Sequence, residues 1–229
     1  FFDHKYRIVY SKIENLNNFN DIKHPSVREV IKFLNIKYGL EIHHDGDLPA
    51  RSGLGSSSAF TVGLVNALET LNNKYTNKKN LAQKAIHIEQ RLIRENVGSQ
   101  DQIATSYGGF NKVSFFQNED FNVSQIILSK EKIIEFNNHL LLFFTGISRI
   151  ASKIAKAQIR NIKNKNLELN EMKSMVDEGI KLLASKNNKL DEFGLLLNES
   201  WKIKKSLSND ISNTKIDHLY DQGLKNGAL

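Results

Sequence analysis

The segment Pro49-Ala50-Arg51-Ser52-Gly53-Leu54-Gly55-Ser56-Ser57-Ser58-Ala59, which runs straight into an apolar stretch, constrains this chain more than any other. Its paired glycines allow positive φ and a close backbone approach to a ligand, and its serines fall where a helix begins. The first N–H groups of that helix have no partner within it, and the positive end of its dipole faces the turn, so the arrangement suits an anion. Serine hydroxyls there can cap the helix, donate to phosphate oxygens or ligate Mg²⁺. An ordinary serine-capped helix after a flexible turn has the same composition, and glycine and serine alone do not choose between the two. The Walker P-loop is excluded, because it requires Lys and Ser/Thr directly after its last glycine, and Ser56-Ser57 follow Gly55. The dinucleotide pattern G-x-G-x-x-G is excluded by Ser58.

A second constraint is Glu89. The spacing predicts a helix from about Asn80 to Arg94 with Ala82, Ala85, Ile86, Leu92 and Ile93 on one stripe, and Glu89 lies on that stripe. A carboxylate buried there without a partner costs several kcal/mol, so Glu89 requires a cation. Arg91 and Arg94 fall mostly on other faces, which leaves a metal ion or a structural ion pair with a distant Lys or Arg. Further on, Val97-Gly98-Ser99-Gln100-Asp101-Gln102 reads as a turn carrying Asp101, a residue that serves either as a turn former or as a base. An anion cradle, an inward Glu and a loop Asp together are the parts of Mg-dependent phosphoryl transfer.

Elsewhere the pattern predicts a strand over Tyr6 to Ile13, a loop over Asn15 to Asn20, a helix from Pro25 closed by Gly39 and a short strand at Leu40 to Ile42. A helix is expected at Ser57 to Leu71, strands at Phe110 to Phe116 and Ile126 to Leu128, and a central buried strand at Leu140 to Phe144. The remainder reads as helices at Ala151 to Ile162, Leu167 to Leu183, Leu190 to Leu207 and Ile216 to Leu224. This divides the chain into a mixed first part, 1–132, and a second part, 133–229, whose sheet is incomplete.

No apolar run is long enough to span a bilayer, and the absence of Cys excludes thiol catalysis and thiolate zinc sites and fits a cytoplasmic protein. The net charge of +7 does not mark a nucleic-acid protein, because the lysines are scattered rather than gathered in a basic stripe.

The residues Pro49 to Ala59 resemble the second signature motif of the GHMP small-molecule kinases, P-x-x-x-G-L-G-S-S-A/S-A. The likeness extends to Glu89, to Gln100-Asp101-Gln102, to Tyr107-Gly108-Gly109-Phe110-Asn111, to Phe144 through Arg149 and to Glu199 through Leu207, a set similar to the heptose 7-phosphate kinase branch. The resemblance implies an α+β, two-domain GHMP kinase fold with a ribosomal-protein-like N-terminal part and a ferredoxin-like C-terminal part. It implies that Gly53, Leu54, Gly55, Ser56, Ser57 and Ser58 hold the ATP phosphates, that Ser57 with Glu89 holds Mg²⁺, and that Asp101 is the catalytic carboxylate. It implies phosphorylation of the anomeric hydroxyl of a sugar phosphate, with Arg149, Lys202 and Lys205 as candidates for the substrate phosphate. A galactokinase-like enzyme and a non-catalytic ligand-binding or nucleic-acid-binding protein on the same fold are the alternatives, and a homo-oligomer is compatible with each. The chain opens on Phe1-Phe2-Asp3 and stops at Leu229 without the family's first and third motifs, so a fragment of a longer kinase is expected.

Overall fold

The computed structural model describes residues 3–47, 53–146, 159 and 161–229. Two compact units emerge, one built on residues 1–109 and the other on 110–146 and 153–229. The first unit ends at Gly109, and the hairpin that follows groups with the helical part.

In the first unit, β1 (Tyr6–Val9) pairs antiparallel with β2 (Ile13–Leu16) and parallel with β3 (Leu40–His43). Tyr6 and Ile8 alternate inward and are buried, while Arg7 meets Glu41 across the other face at 3.6 Å. The expected single strand over Tyr6 to Ile13 is thus two strands, folded back where the Tyr10 N–H donates to the Lys12 carbonyl at 2.9 Å. The parallel pairing of β1 with β3 requires a crossover, and α1 (Pro25–Phe33) supplies it. Helix α1 ends well before Gly39. Asn35 takes φ 55°, and N–H bonds from Asn35 to Lys32 and from Ile36 to Ile31 close a Schellman-type end.

Helices α2 (Ser56–Leu71) and α3 (Lys78–His87) complete this core, with Val62, Val65 and Leu68 from the first and Leu81, Ala85 and Ile88 from the region of the second. Buried Glu69 of α2 accepts a hydrogen bond from Lys84 of α3 at 2.5 Å, fixing one helix against the other. After α3 the backbone widens into a π turn over Ile88–Leu92, and α4 (Gln100–Tyr107) follows.

In the second unit, β4 (Asn111–Phe115) and β5 (Phe121–Gln125) form an antiparallel hairpin, so the strand expected at Ile126 to Leu128 lies earlier. Helix α5 (Lys130–Asn138) was not expected; Ser129 caps it by accepting the Lys132 N–H. Helices α6 (Asn166–Ala184) and α7 (Leu190–Ser206) pack together, and α8 (Thr214–Lys225) completes the unit. Gly179 lets the α6 backbone approach α7 closely, since a Cβ there would sit 3.2 Å from the Phe193 ring.

The expected central strand at Leu140 to Phe144 does not form. Leu141 and Leu142 are 83% exposed and Phe143 78% exposed. A strand apolar on both faces needs hydrogen-bonded neighbours and a covering layer on each face, and among the described residues the sheet of this unit is the β4–β5 hairpin alone. The helix expected at Ala151 to Ile162 falls almost wholly outside the described residues.

Candidate active site

The turn before α2 has the backbone its glycines foretold. Gly53 and Gly55 take φ 82° and 73°, and Gly55 occupies the N-cap position with no side chain capping the helix. Among the described residues no side chain caps the first N–H groups of this sixteen-residue helix, which stand at the positive end of its dipole. Residues 48–52 of the motif lie outside the described residues.

Of the three serines, Ser57 is exposed, Ser56 is half-buried and Ser58 is buried. Ser58 begins the buried stripe of α2 that continues through Thr61, Val62 and Val65, and its hydroxyl donates to Glu89 Oε2 at 2.9 Å. The resemblance implied that Ser57 and Glu89 share Mg²⁺; the serine that hydrogen-bonds Glu89 directly is its neighbour Ser58. The stripe spacing was legible in the sequence, but without the tertiary contact it did not single out one hydroxyl.

Glu89 is 1% exposed, as its place on the apolar stripe requires. It sits in the π turn, where the Ile93 N–H reaches back to the Ile88 carbonyl at 2.8 Å and the Glu95 N–H to the Glu89 carbonyl at 3.0 Å. Arg94 takes φ 63° at the end of this turn. Gln102 Nε2 is the second donor to Glu89 Oε2, while Glu89 Oε1 is buried without a hydrogen-bond partner among the described residues. Both partners of Glu89 are neutral. Burial pushes the Glu95 carboxyl above the usual carboxylate range, and the Glu89 charge pushes it further the same way.

Asp101 is in the first turn of α4 rather than on a free turn, and its side chain is exposed. Gln102 and Ile103, both buried, anchor this turn, and Gln90 holds the approach to it by donating to the Val97 carbonyl at 3.0 Å and the Ser99 hydroxyl at 3.2 Å. The Asp101 carboxylate lies against Gly55, where an added Cβ would come within 3.3 Å of Asp101 Cγ. Gly55 is thus required both by its φ and by the proximity of Asp101. One unit accordingly brings together the glycine turn, a buried carboxylate with an unpartnered oxygen and an exposed carboxylate.

Among the described residues no group of three or more His, Asp and Glu gathers as a metal site. A Mg²⁺ ion held by one or two carboxylates together with substrate phosphates would not need such a group. Glu89 Oε1 supplies the hard oxygen donor such a cation requires.

The residues considered for a substrate phosphate belong to the other unit or lie outside the described residues. Arg149 lies outside them. Lys202 pairs with Glu199 at 2.7 Å, and Lys205 pairs with Asp217 at 3.3 Å while lying 5.7 Å from the ring centres of both Trp201 and Tyr220. Hydrogen bonding to Glu199 holds the Lys202 ammonium above its usual range.

Residues 25–109 match the family described as GHMP kinases N terminal domain. The chain is 29% identical over 204 residues to D-glycero-alpha-D-manno-heptose 7-phosphate kinase of Campylobacter jejuni, covering 88% of this chain and 59% of that protein. It is 30% identical over 189 residues to the bifunctional fucokinase/GDP-fucose pyrophosphorylase of Arabidopsis thaliana, covering 80% of this chain and 18% of that protein. The crystal structure of a D-glycero-D-manno-heptose 1-phosphate kinase from Bacteroides thetaiotaomicron matches with a TM-score of 0.65 at 23% identity, covering 87% of this chain and 63% of that one. The chain therefore spans less than two thirds of each of these relatives, and the structural likeness concerns the fold.

Proposed function

We propose, on the match of residues 25–109 to the GHMP kinases N terminal domain, that the protein is an ATP-dependent sugar kinase of that family that phosphorylates the anomeric hydroxyl of D-glycero-D-manno-heptose 7-phosphate. The sugar 1-phosphate so formed would serve nucleotide activation and surface-polysaccharide synthesis in the cytoplasm. The observation that carries this reading is the placement of Asp101 against Gly55, at the mouth of the helix whose Ser58 holds Glu89.

In this reading the backbone of Gly53 to Ser58 cradles the ATP phosphates, with the unpaired N–H groups of α2 directed at them. Glu89 Oε1 and the Ser57 hydroxyl would hold Mg²⁺, which when bound neutralises phosphate charge. Asp101 orients the acceptor hydroxyl and receives its proton as the acceptor oxygen bonds to the γ-phosphorus. The bond from that phosphorus to the β-phosphate oxygen breaks, and ADP departs. Positioning and electrostatics carry most of the acceleration, because phosphoryl transfer asks little covalent chemistry of the protein.

The test is Asp101→Asn in the full-length protein, assayed for ATP-dependent phosphorylation of sugars and sugar phosphates. Loss of a general base predicts a fall in kcat of about 10²–10⁴ with folding unchanged. A rate within a factor of a few of wild type overturns the role of Asp101.

One observation favours a second reading, in which the acceptor carries no phosphate. Lys202 and Lys205 are already paired with Glu199 and Asp217, so neither is a ready-made phosphate ligand. A galactokinase-like or fucokinase-like substrate then fits. An unchanged KM for the heptose phosphate in Lys205→Ala, together with turnover of an unphosphorylated sugar, decides for this second reading.

A further inference from the structure

Gln102 is fully buried at 0% exposure on α4, beside Asp101, and among the described residues its amide makes one hydrogen bond, from Nε2 to Glu89 Oε2. This orientation suits Glu89 as a cation ligand, because a carboxylate in that role can only accept and the flipped amide would set oxygen against oxygen. The consequence is that, among the described residues, Gln102 Oε1 is buried without a hydrogen-bond partner, as Glu89 Oε1 is. Two side chains joined through one oxygen thus each present a second, unpartnered acceptor. Leaving one buried acceptor unsatisfied costs about 1–3 kcal/mol, so each of the two calls for a donor or a cation. No role for Gln102 follows from the ATP cradle or from proton transfer.

We propose that Gln102 is a positioning residue for the divalent cation. Together with Ser58 it holds Glu89 Oε2, so that Glu89 Oε1 is turned to the ion, and its own Oε1 accepts a hydrogen bond from water bound to that ion. This rests on the reading of Glu89 as a cation ligand. Ser58 and Gln102 are the only hydrogen-bond donors to the Glu89 carboxylate among the described residues, and they come from α2 and α4, the helices that also carry the phosphate cradle and Asp101. The pair therefore sets the ion in register with both. Partners that orient a metal ligand typically contribute 10–100-fold to metal affinity, a range of about 10–100-fold expected here.

The probe is Mn²⁺ in the presence of a non-hydrolysable ATP analogue, with binding read by electron paramagnetic resonance and stability by thermal unfolding, on the full-length protein. Gln102→Met keeps the volume and removes the donor, and its Mn²⁺ affinity falls by about 10–100-fold. Gln102→Glu at pH 8 sets a second carboxylate against Glu89, so the variant melts below wild type in chelator and regains that loss when Mn²⁺ is added. A buried amide with a purely structural role would leave the loss in Gln102→Glu indifferent to the ion. Mn²⁺ affinity within about threefold of wild type in a folded Gln102→Met protein overturns the proposal. If Gln102→Met does not fold, the absence of recovery by Mn²⁺ in Gln102→Glu overturns it instead. Glu89→Gln separates the two levels: unchanged Mn²⁺ affinity there removes the reading of Glu89 itself, whereas a loss in Glu89→Gln without one in the Gln102 variants removes only this inference.

Discussion

Replacing Gly55 with Ala tests the site at the point where its two requirements meet. Gly55 takes φ 73°, and a left-handed conformation costs a non-glycine residue roughly 1–2 kcal/mol. The added Cβ would also lie 3.3 Å from Asp101 Cγ and 3.4 Å from Oδ2, so Asp101 must yield by a few tenths of an ångström. Gly53→Ala is the matched control, since Gly53 takes φ 82° but an added Cβ meets nothing within 4 Å among the described residues. The two variants therefore share the backbone cost and differ in the contact with Asp101. Urea unfolding is expected to show a loss of about 1–2 kcal/mol in both, with Gly55→Ala the larger. In the Asp101→Ala background the cost of Gly55→Ala should shrink by roughly 0.5–1 kcal/mol, because the crowded atoms are gone. A misplacement of 1 Å can cost about 10²-fold in rate, so a shift of a few tenths should lower kcat in Gly55→Ala by roughly 3–10-fold beyond the effect of Gly53→Ala. Equal losses in the two glycine variants, with additive behaviour in the Asp101→Ala background, would refute the claim that Gly55 makes room for Asp101.

Two further outcomes follow from the packing of the first unit. Lys84→Met leaves buried Glu69 without its 2.5 Å partner and should cost about 2–4 kcal/mol in urea unfolding, near the range for breaking a buried pair; Lys84→Arg should recover part of it. His24 caps α1 by accepting the Val27 N–H at Nδ1, and burial, then the nearby His44, lower its pKa below 6.5. A depressed histidine contributes stability that is complete above pH 6.5 and is lost as pH falls through the lower folded value, where the protonated ring can no longer accept. Thermal unfolding between pH 8 and pH 5 should show this loss, and His24→Asn, which retains a capping acceptor, should flatten the slope; an equal slope in both proteins would exclude His24 as its source.

Local chemistry made much of the site legible. Positive φ at Gly53 and Gly55 and the start of α2 follow from residue type and position, and burial of Glu89 follows from helical spacing against Ala85 and Leu92. The same logic failed where a backbone choice depended on neighbours. Asn35 ended α1 before the glycine that looked like its stop, and Asp101 entered a helix because Gln102 and Ile103 are buried beneath it. Leu140 to Phe144 reads as a buried strand from its composition, yet composition does not supply the pairing strands that burial would require.

By itself, then, the sequence determined an anion-suited turn and an inward carboxylate, since φ preferences and periodicity act within a few residues. Only the tertiary structure decided that Ser58 meets Glu89, that Gln102 shares the same oxygen, and that Asp101 rests against Gly55. Those contacts join residues 31, 13 and 46 positions apart, and their geometry is set by how α2, α4 and the π turn pack, which no local pattern encodes.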